Sequence, residues 1–239
     1  MRILITNDDG YKSPILPMLA HWASKHGEVT LVAPKSEQSG KSQSIDFRNA
    51  VEIKKVDMVD GVDCYYVDST PADCVRFAVT GLKQEYDLVI SGVNCGYNLG
   101  SDIAYSGTIG AVMEGARCGI NGVAVSTDFD ILMQSENYFE ELFEYFKDKK
   151  LFSYNNLYNI NIPHETVKGI RITKQGGIFY TDDFIHHGGD MYQQTGGPVE
   201  RVYDIHSDDI DAVMNGFISI TPLTEVRTDL IAYEKLKNI

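Results

Sequence analysis

MRILITNDDGYKSPILPMLAHWASKHGEVTLVAP, residues 1–34, places a helical pattern between two apolar runs. The first run, residues 1–6, is almost continuously apolar, which is typical of a parallel strand buried on both faces. Ser13 and Pro14 then form a good helix start, because serine caps a helix and proline fits its first turn. Residues 29–33 predict a second strand. The order strand, helix, strand predicts an α/β fold with a mostly parallel sheet.

The same alternation of strand and helix patterns continues to about residue 150. Residues 88–91 and 123–126 are short apolar runs typical of buried strands, and a helical pattern follows each of them. Further predicted elements are helices at residues 71–81, 108–118 and 136–149, and a strand hairpin at residues 51–56 and 64–67.

The pattern changes after residue 151. Strand-like runs follow one another without regular helices between them, at residues 158–162, 169–173 and 217–221. Residues 176–198 are rich in Gly, His, Tyr and Gln, which favours a protruding hairpin arm over core. We therefore predict a core at residues 1–150 and a smaller β-rich part at residues 151–239, which completes the sheet and carries the arm and a tail.

The composition indicates which kinds of partner the protein is expected to bind and in which cellular compartment it is expected to lie. Acidic residues outnumber basic ones by 34 to 21, which gives a formal charge of −13. Such a surface repels polyanions and argues against binding to nucleic acid polymers or anionic membranes. No apolar stretch approaches the roughly 20 residues of a membrane span. The cysteines form no C-x-x-C pair and the chain leaves no room for a signal peptide, so we expect a cytoplasmic protein.

Three polar loops leave the carboxyl ends of predicted strands. In a parallel α/β sheet such loops converge on one edge, where ligands bind. The loops are Asn7-Asp8-Asp9-Gly10, residues 36–44 (SEQSGKSQS) and residues 91–108 (SGVNCGYNLGSDIAYSGT). None of the six histidines lies in these loops, so a Ser-His-Asp mechanism is weakly supported.

The first loop allows two interpretations. Asp8 and Asp9 can both face one hard cation such as Mg²⁺ or Mn²⁺, which prefers oxygen ligands. Taken alone, an Asp-Asp-Gly sequence is more often an Asx-turn that caps the next helix.

The third loop ends in Ser106-Gly107-Thr108, at the start of a predicted helix. Free N–H groups and the helix dipole make such a start a site for anions. The alternative is a glycine-rich connection with an ordinary Ser/Thr cap. Small residues at a helix start, together with a distant acidic turn, favour one combined phosphate and metal site.

Several longer segments, in this order along the chain, resemble the SurE family (survival protein E). They are ILITNDDG at 3–10, Ser39-Gly40 after VAP at 32–34, STPADCV at 69–75, SGVNCGYNLGSDIAYSGTIGAVMEG at 91–115, NINIP at 159–163 and DAVMNGFISITPL at 211–223. This family consists of metal-dependent nucleoside monophosphate phosphatases. The combination is highly specific, although NDDG alone would be weak.

The resemblance implies a Rossmann-like, three-layer α/β/α fold and a complete set of site residues. One divalent cation, Mg²⁺, Mn²⁺ or similar, would be held by Asp8, Asp9, Ser39 and Asn94. The phosphate pocket would be lined by Asn94, Asn98, Ser106, Gly107 and Thr108, and the catalytic residues would be Asp8, Asp9, Asn98 and Ser106. The implied substrates are nucleoside 5′- and 3′-monophosphates, and also short polyphosphate. The implied assembly is a homodimer or homotetramer that exchanges its C-terminal arm and tail.

Other kinds of protein share part of this pattern. A phosphoacceptor receiver domain also has an acidic pair after its first strand, but it needs an aspartate after a middle strand, whereas Asp87 precedes its strand. Haloacid-type phosphatases carry two aspartates separated by one residue, whereas Asp8 and Asp9 are adjacent. A non-catalytic nucleotide-binding regulatory protein stays open, because it would use the glycine-rich loop without needing both carboxylates.

Overall fold

The computed structural model describes residues 1–199, 203, 208–237 and 239. The strands in these residues are β1 (Arg2–Thr6), β2 (Glu28–Pro34), β3 (Ile53–Val56), β4 (Asp63–Val67), β5 (Leu88–Cys95), β6 (Asn121–Thr127), β7 (Leu157–Ile162), β8 (Ile170–Ile172), β9 (Asp183–His186), β10 (Tyr192–Thr195) and β11 (Ile218–Pro222). The α-helices in these residues are α1 (Ile15–Ala23), α2 (Pro71–Arg76), α3 (Gly107–Arg117), α4 (Phe139–Asp148), α5 (Asp209–Met214) and α6 (Leu230–Leu236).

One sheet of nine strands forms the centre of the molecule, in the order β3-β4-β2-β1-β5-β6-β7-β11-β8. The six strands from β4 to β7 in this order are mutually parallel. β3 and β11 are antiparallel to their inner neighbours, and β8 pairs parallel to β11. The predicted α/β fold with a mostly parallel sheet is confirmed.

Both faces of the sheet are covered by helices, which explains why the central strands are mostly apolar and almost continuously buried. Ile3 and Ile5 of β1 belong to a core cluster with residues of α1 and α4. Leu4, which lies between them, belongs to a second cluster with residues of α2 and α3. Successive residues of a strand point to opposite faces of the sheet, so the residues of β1 pack alternately into the two clusters. The molecule therefore has three layers, with helices on each side of the sheet.

The prediction that no regular helix lies between the strands after residue 151 is wrong. α5 lies between the arm segment and β11, and α6 follows β11. α5 is only six residues long, and its start is fixed by Asp208, whose side chain accepts a hydrogen bond from Asp211 N. The DDIDAVM segment therefore carried a capping signal, but it is too short for a clear helical period.

The segment expected to form the arm contains an antiparallel hairpin of β9 and β10, whose residues are all exposed. β7, β11 and β8 extend the same sheet as β1. Every helix in the described part of the chain is too short or too polar to cross a lipid bilayer.

Candidate active site

The three polar loops meet at the carboxyl edge of the parallel strands. The loop after β2 lies against the turn after β1, because Gln38 N donates to Asp8 O over 2.7 Å. It also contacts the segment before α3, because Ser42 N donates to Tyr105 O over 2.9 Å. The structure thus brings the three loops together at this edge, as the topology of a parallel sheet favours.

The turn after β1 is held by Asn7 rather than by the two aspartates. The Asn7 side chain donates to Gly10 O over 3.0 Å and accepts from Gly10 N over 3.2 Å. Gly10 has φ +97°, a conformation that favours glycine. Among the residues that the structure describes, no side chain, that of Ser13 included, caps the start of α1. Asp8 and Asp9 are therefore free of the helix-capping role that an isolated Asp-Asp-Gly sequence suggests.

Asp8 connects the first strand to the start of α3. Its Oδ1 accepts from Thr108 Oγ1 over 2.6 Å, and its Oδ2 accepts from Thr108 N over 3.1 Å. Asp8 is only 6% exposed, and burial raises the pKa of its carboxyl group despite these hydrogen bonds. Gly107 leaves room for the contact, because a Cβ there would lie 2.9 Å from Asp8 Cβ.

The first N–H groups of α3 already have partners inside the protein. Ser106 caps the helix, with its Oγ accepting from Ile109 N over 3.2 Å, and Thr108 N donates to Asp8. A phosphate at this helix start would therefore lie close to the Asp8 carboxylate. Two anions at one place require a cation between them.

Asp9 adds a second carboxylate beside Asp8. Its Oδ2 accepts from Cys95 N over 3.3 Å. Burial, together with the charges of Asp8 and Glu37, raises the pKa of Asp9 to about 6. Among the ion pairs of the described residues, none joins Asp8 or Asp9 to Lys, Arg or His. One buried and one half-buried carboxylate, neither of them in such an ion pair, fit a hard divalent cation, which would offset their repulsion.

The loop after β2 brings Ser39 and also Glu37, which the sequence reasoning missed. Ser39 Oγ donates to Glu37 Oε1 over 2.6 Å. Gln43 fixes the far end of the loop by donating to the buried Glu114 of α3 over 3.1 Å. The loop backbone packs tightly on α3, because a Cβ at Gly110 would lie 2.2 Å from Ser42 O.

Asn94 lies after an irregularity in β5. The pairing of β5 with β6 shifts register between Ser91 and Asn94. Gly92 occupies this step with φ +127°, and a Cβ there would lie 2.2 Å from Val125 O. Asn94 Nδ2 donates to Gly96 O over 2.6 Å, which leaves the amide oxygen as the atom suited to a cation.

Asn98 is surrounded by polar side chains of β6 and β7. Its backbone N donates to Asn161 Oδ1 over 2.9 Å, and its backbone O accepts from Asn159 Nδ2 over 2.9 Å and from Asn161 Nδ2 over 2.8 Å. Its side chain donates to Ser126 Oγ over 2.8 Å. The sequence reasoning missed these residues, although two asparagines that alternate with isoleucines in NINI are an unusual pattern for a buried strand.

The site loop is also tied to the base of the arm. Asp209 accepts from Gly100 N over 3.0 Å and from Gly176 N over 2.8 Å. Asp102 accepts from Phe179 N over 3.0 Å and from Tyr180 N over 2.9 Å. The loop that carries Asn98 and the arm base therefore share two buried or half-buried carboxylate anchors.

A further group of potential cation ligands follows β6 and β7. Asp128, Asp130 and His164 each offer a ligand atom, and these atoms lie within 4.8 Å of one another. Asp128 and His164 are 3.4 Å apart, and Asp128 also accepts from Asp130 N over 3.0 Å. The chain thus has acidic and histidine side chains that could hold a metal ion, besides the predicted set.

The fold and this edge define a class of protein: α/β proteins that bind a small anionic ligand at the carboxyl ends of parallel strands. Residues 3–182 match the family described as "Survival protein SurE". The chain belongs to the SurE family, as the resemblance of its motifs predicted.

Two relatives and one solved structure are similar to this chain over nearly its whole length. The chain is 37% identical to a protein of Clostridium beijerinckii named "5'-nucleotidase SurE", with 93% of this chain and 92% of the relative covered. It is 38% identical to a protein of the same name from Desulforudis audaxviator, with 99% and 95% covered. The crystal structure of the SurE protein from Aquifex aeolicus has a TM-score of 0.76 at 30% identity, with 100% and 99% covered.

Proposed function

We propose that this chain is a metal-dependent phosphomonoesterase that hydrolyses nucleoside 5′- and 3′-monophosphates to nucleoside and phosphate. Its curated relatives are named 5'-nucleotidase, which makes a 5′-nucleotidase the enzyme class. The observation that supports metal dependence is the pair Asp8 and Asp9. Asp8 is buried beside the start of α3, Asp9 is half-buried, and neither forms an ion pair with a cationic side chain of the described residues. Short polyphosphate, which offers the same terminal phosphate, is proposed as a further substrate.

The proposed metal ligands are Asp8, Asp9, Ser39 and Asn94, for Mg²⁺, Mn²⁺ or a similar cation. When bound, such a cation supplies Lewis-acid chemistry and neutralises charge on the phosphate oxygens. The Thr108 side chain and backbone hold Asp8 in place for this role.

The phosphate pocket is proposed to consist of Asn94, Asn98, Ser106, Gly107 and Thr108. Ser106 and Thr108 lie at the α3 start, where the dipole favours the negative charge of a phosphate. Asn98 and Ser106 would position the phosphate or the attacking water, and they act with Asp8 and Asp9 as the catalytic residues. Preorganised polar groups of this kind stabilise charge as it redistributes in the transition state.

Phosphate release from a nucleotide panel tests this proposal. Purified protein is incubated with 5′- and 3′-nucleoside monophosphates and with tripolyphosphate, in Mg²⁺, in Mn²⁺ and in excess chelator. We expect release with a metal and none with chelator. Tight nucleotide binding without release in any condition would instead indicate a non-catalytic nucleotide-binding regulatory protein and overturn the proposal.

We further propose a homodimer or homotetramer in which the arm and tail are exchanged between subunits. The arm exposes Phe184, Ile185 and Tyr192, each at least 50% accessible. α6 exposes Leu230 and Ile231 at 60% and 72%. Apolar side chains in such number on protruding segments favour burial against a second copy. The division into residues 1–150 and residues 151–239 belongs to the same proposal, with the second part supplying the arm and tail.

A further inference from the structure

Ser126 of β6 and Asn159 and Asn161 of β7 are fully buried polar side chains that all bond to Asn98. Asn159 and Asn161 are two positions apart on one strand, so they point to the same face of the sheet. Burying an amide is unfavourable unless its polar atoms find partners. Apolar side chains would fill a central strand at lower cost, so these three residues need a reason beyond packing.

The Asn161 amide matches the backbone of Asn98 on both sides. Its Oδ1 accepts from Asn98 N, while its Nδ2 donates to Asn98 O. These two contacts fix both the position and the direction of one peptide segment. Asn159 adds a second donor to the same carbonyl, over 2.9 Å.

Asn159 also shows that this arrangement is not built for stability alone. Its Oδ1 is buried without a hydrogen-bond partner among the described residues. A buried acceptor that stays unpaired destabilises the folded state. β7 therefore keeps an unfavourable amide at one of the two residues that hold the backbone of Asn98.

We propose that Asn161, assisted by Asn159, is a positioning residue for phosphate ester hydrolysis. Asn161 holds the backbone of Asn98, so that the Asn98 side chain meets the phosphate or water in a fixed geometry. This inference rests on the proposed function, in which Asn98 contacts the reacting group. It also makes β7 part of the catalytic machinery, although β7 lies outside the three predicted site loops.

The test is the steady-state kinetics of the Asn161→Ala variant with a nucleoside 5′-monophosphate and Mn²⁺. Misplacement of a catalytic group by about 1 Å can reduce the rate roughly 100-fold, so we expect kcat to fall by about 10- to 100-fold. KM should change by less than about 3-fold, because the groups that bind the rest of the substrate remain in place. Unchanged kcat, or an effect confined to KM, would overturn the inference.

Asn155→Ala is the matched control. Asn155 precedes β7 at the opposite edge of the sheet, and its side chain donates to Leu157 O over 2.6 Å and to Leu223 O over 2.9 Å. Like Asn161→Ala, this control loses two hydrogen bonds between a side-chain amide and the backbone, and it should keep the kcat of the wild type. If it loses kcat as strongly as Asn161→Ala, the effect is general destabilisation and the inference is wrong.

Mn²⁺ affinity, measured by calorimetry, separates positioning from collapse of the site. A positioning role leaves the Mn²⁺ affinity of Asn161→Ala equal to that of the wild type, whereas a strongly reduced affinity would contradict that role.

If Asn161→Ala does not fold, Asn159→Ser is the alternative variant. It removes one donor to the Asn98 carbonyl and should lower kcat in the same way but less. Full activity of Asn159→Ser would then overturn the inference. A wild-type protein that releases no phosphate refutes the proposed function itself, which is a different result from an active wild type with an equally active Asn161→Ala.

Discussion

Asp8 carries most of the proposed chemistry, because it contacts α3 and adjoins Asp9 at the same time. The Asp8→Asn variant keeps the shape and can still pair with Thr108, with its Oδ1 accepting from Thr108 N and its Nδ2 donating to Thr108 Oγ1. We expect phosphate release to fall by at least about 100-fold, since loss of even an outer partner of a metal site costs about 10- to 100-fold. The measurement is metal-dependent phosphate release, with circular dichroism to verify the fold.

Asp87→Asn is the control for this variant. Asp87 accepts from Arg2 N over 2.7 Å at the opposite edge of the sheet, so it is also a carboxylate bonded to a backbone N–H. Its substitution should leave turnover unchanged. Near-normal turnover of Asp8→Asn would contradict the assignment of Asp8 as a ligand.

Single residues of the candidate site were predictable only where a motif or a loop marked them. Asp8, Asp9 and Thr108 follow from the acidic turn and the helix start. Glu37 and Asn161 do not, because their roles depend on which side chains face each other after folding. The sequence of β7 indicates a strand, but it does not show that the backbone of Asn98 lies opposite the Asn161 side chain.

Gly110 lies where α3 and the loop after β2 touch. In a helix, replacing glycine by alanine normally stabilises by about 0.5–1 kcal/mol. Here the new Cβ would lie 2.2 Å from Ser42 O, so the loop must move. We expect Gly110→Ala to lower the free energy of unfolding by about 1–3 kcal/mol, as overpacking does. Denaturant unfolding measures this.

The matched control for Gly110→Ala is Gly177→Ala, because a Cβ at Gly177 meets no atom of the described part of the chain within 4 Å. It should unfold like the wild type. A stabilised Gly110→Ala variant would show that the loop is not packed on α3 as described. The same displacement should weaken Mn²⁺ binding, because the loop carries Ser39.

At the scale of secondary structure, the sequence predicted those strands and helices whose apolar pattern is long enough to show which residues are buried. The strands β5, β6 and β7 each contain an apolar run and are almost continuously buried, because both faces of the sheet are covered. The short helices α5 and α6, of six and seven residues, escaped prediction. Their apolar residues span less than two turns, and tertiary contacts decide whether such segments become helical.

For the molecule as a whole, the metal site predicts a link between cation binding and stability. A cation that binds only the folded chain stabilises it by about 2.7 kcal/mol at 100 times its Kd, which for this size raises Tm by about 5–10 °C. Thermal unfolding with Mn²⁺ and with chelator should show this difference. In the Asp8→Asn variant the difference should disappear. An equal shift in both proteins would locate the stabilising cation elsewhere, for example at Asp128 and His164.

If the exposed tail holds subunits together, removing it should change the oligomeric state. A chain that ends after Thr224 lacks α6 and its exposed side chains Leu230, Ile231 and Leu236. If these residues pack on a second copy, the shortened chain should have a smaller mass by light scattering than the full chain. Lys235→Ala, on the same helix, is the control and should keep the mass of the full chain. A full chain that is already monomeric would refute the proposed exchange.

Because Asp102 and Asp209 hold only the base of the arm, we expect its base and its tip to differ in how well they accept inserted residues. Its base is bonded to the loop of Asn98, whereas its tip at Gly188 and Gly189 is exposed, and a Cβ added at either glycine would meet no atom of the described residues within 4 Å. A peptide tag inserted at this tip should therefore leave phosphate release unchanged, because exposed turns accept insertions. The same tag between Gly176 and Gly177 should abolish release. The tip is thus a place to attach a label or a fusion partner without disturbing the chemistry.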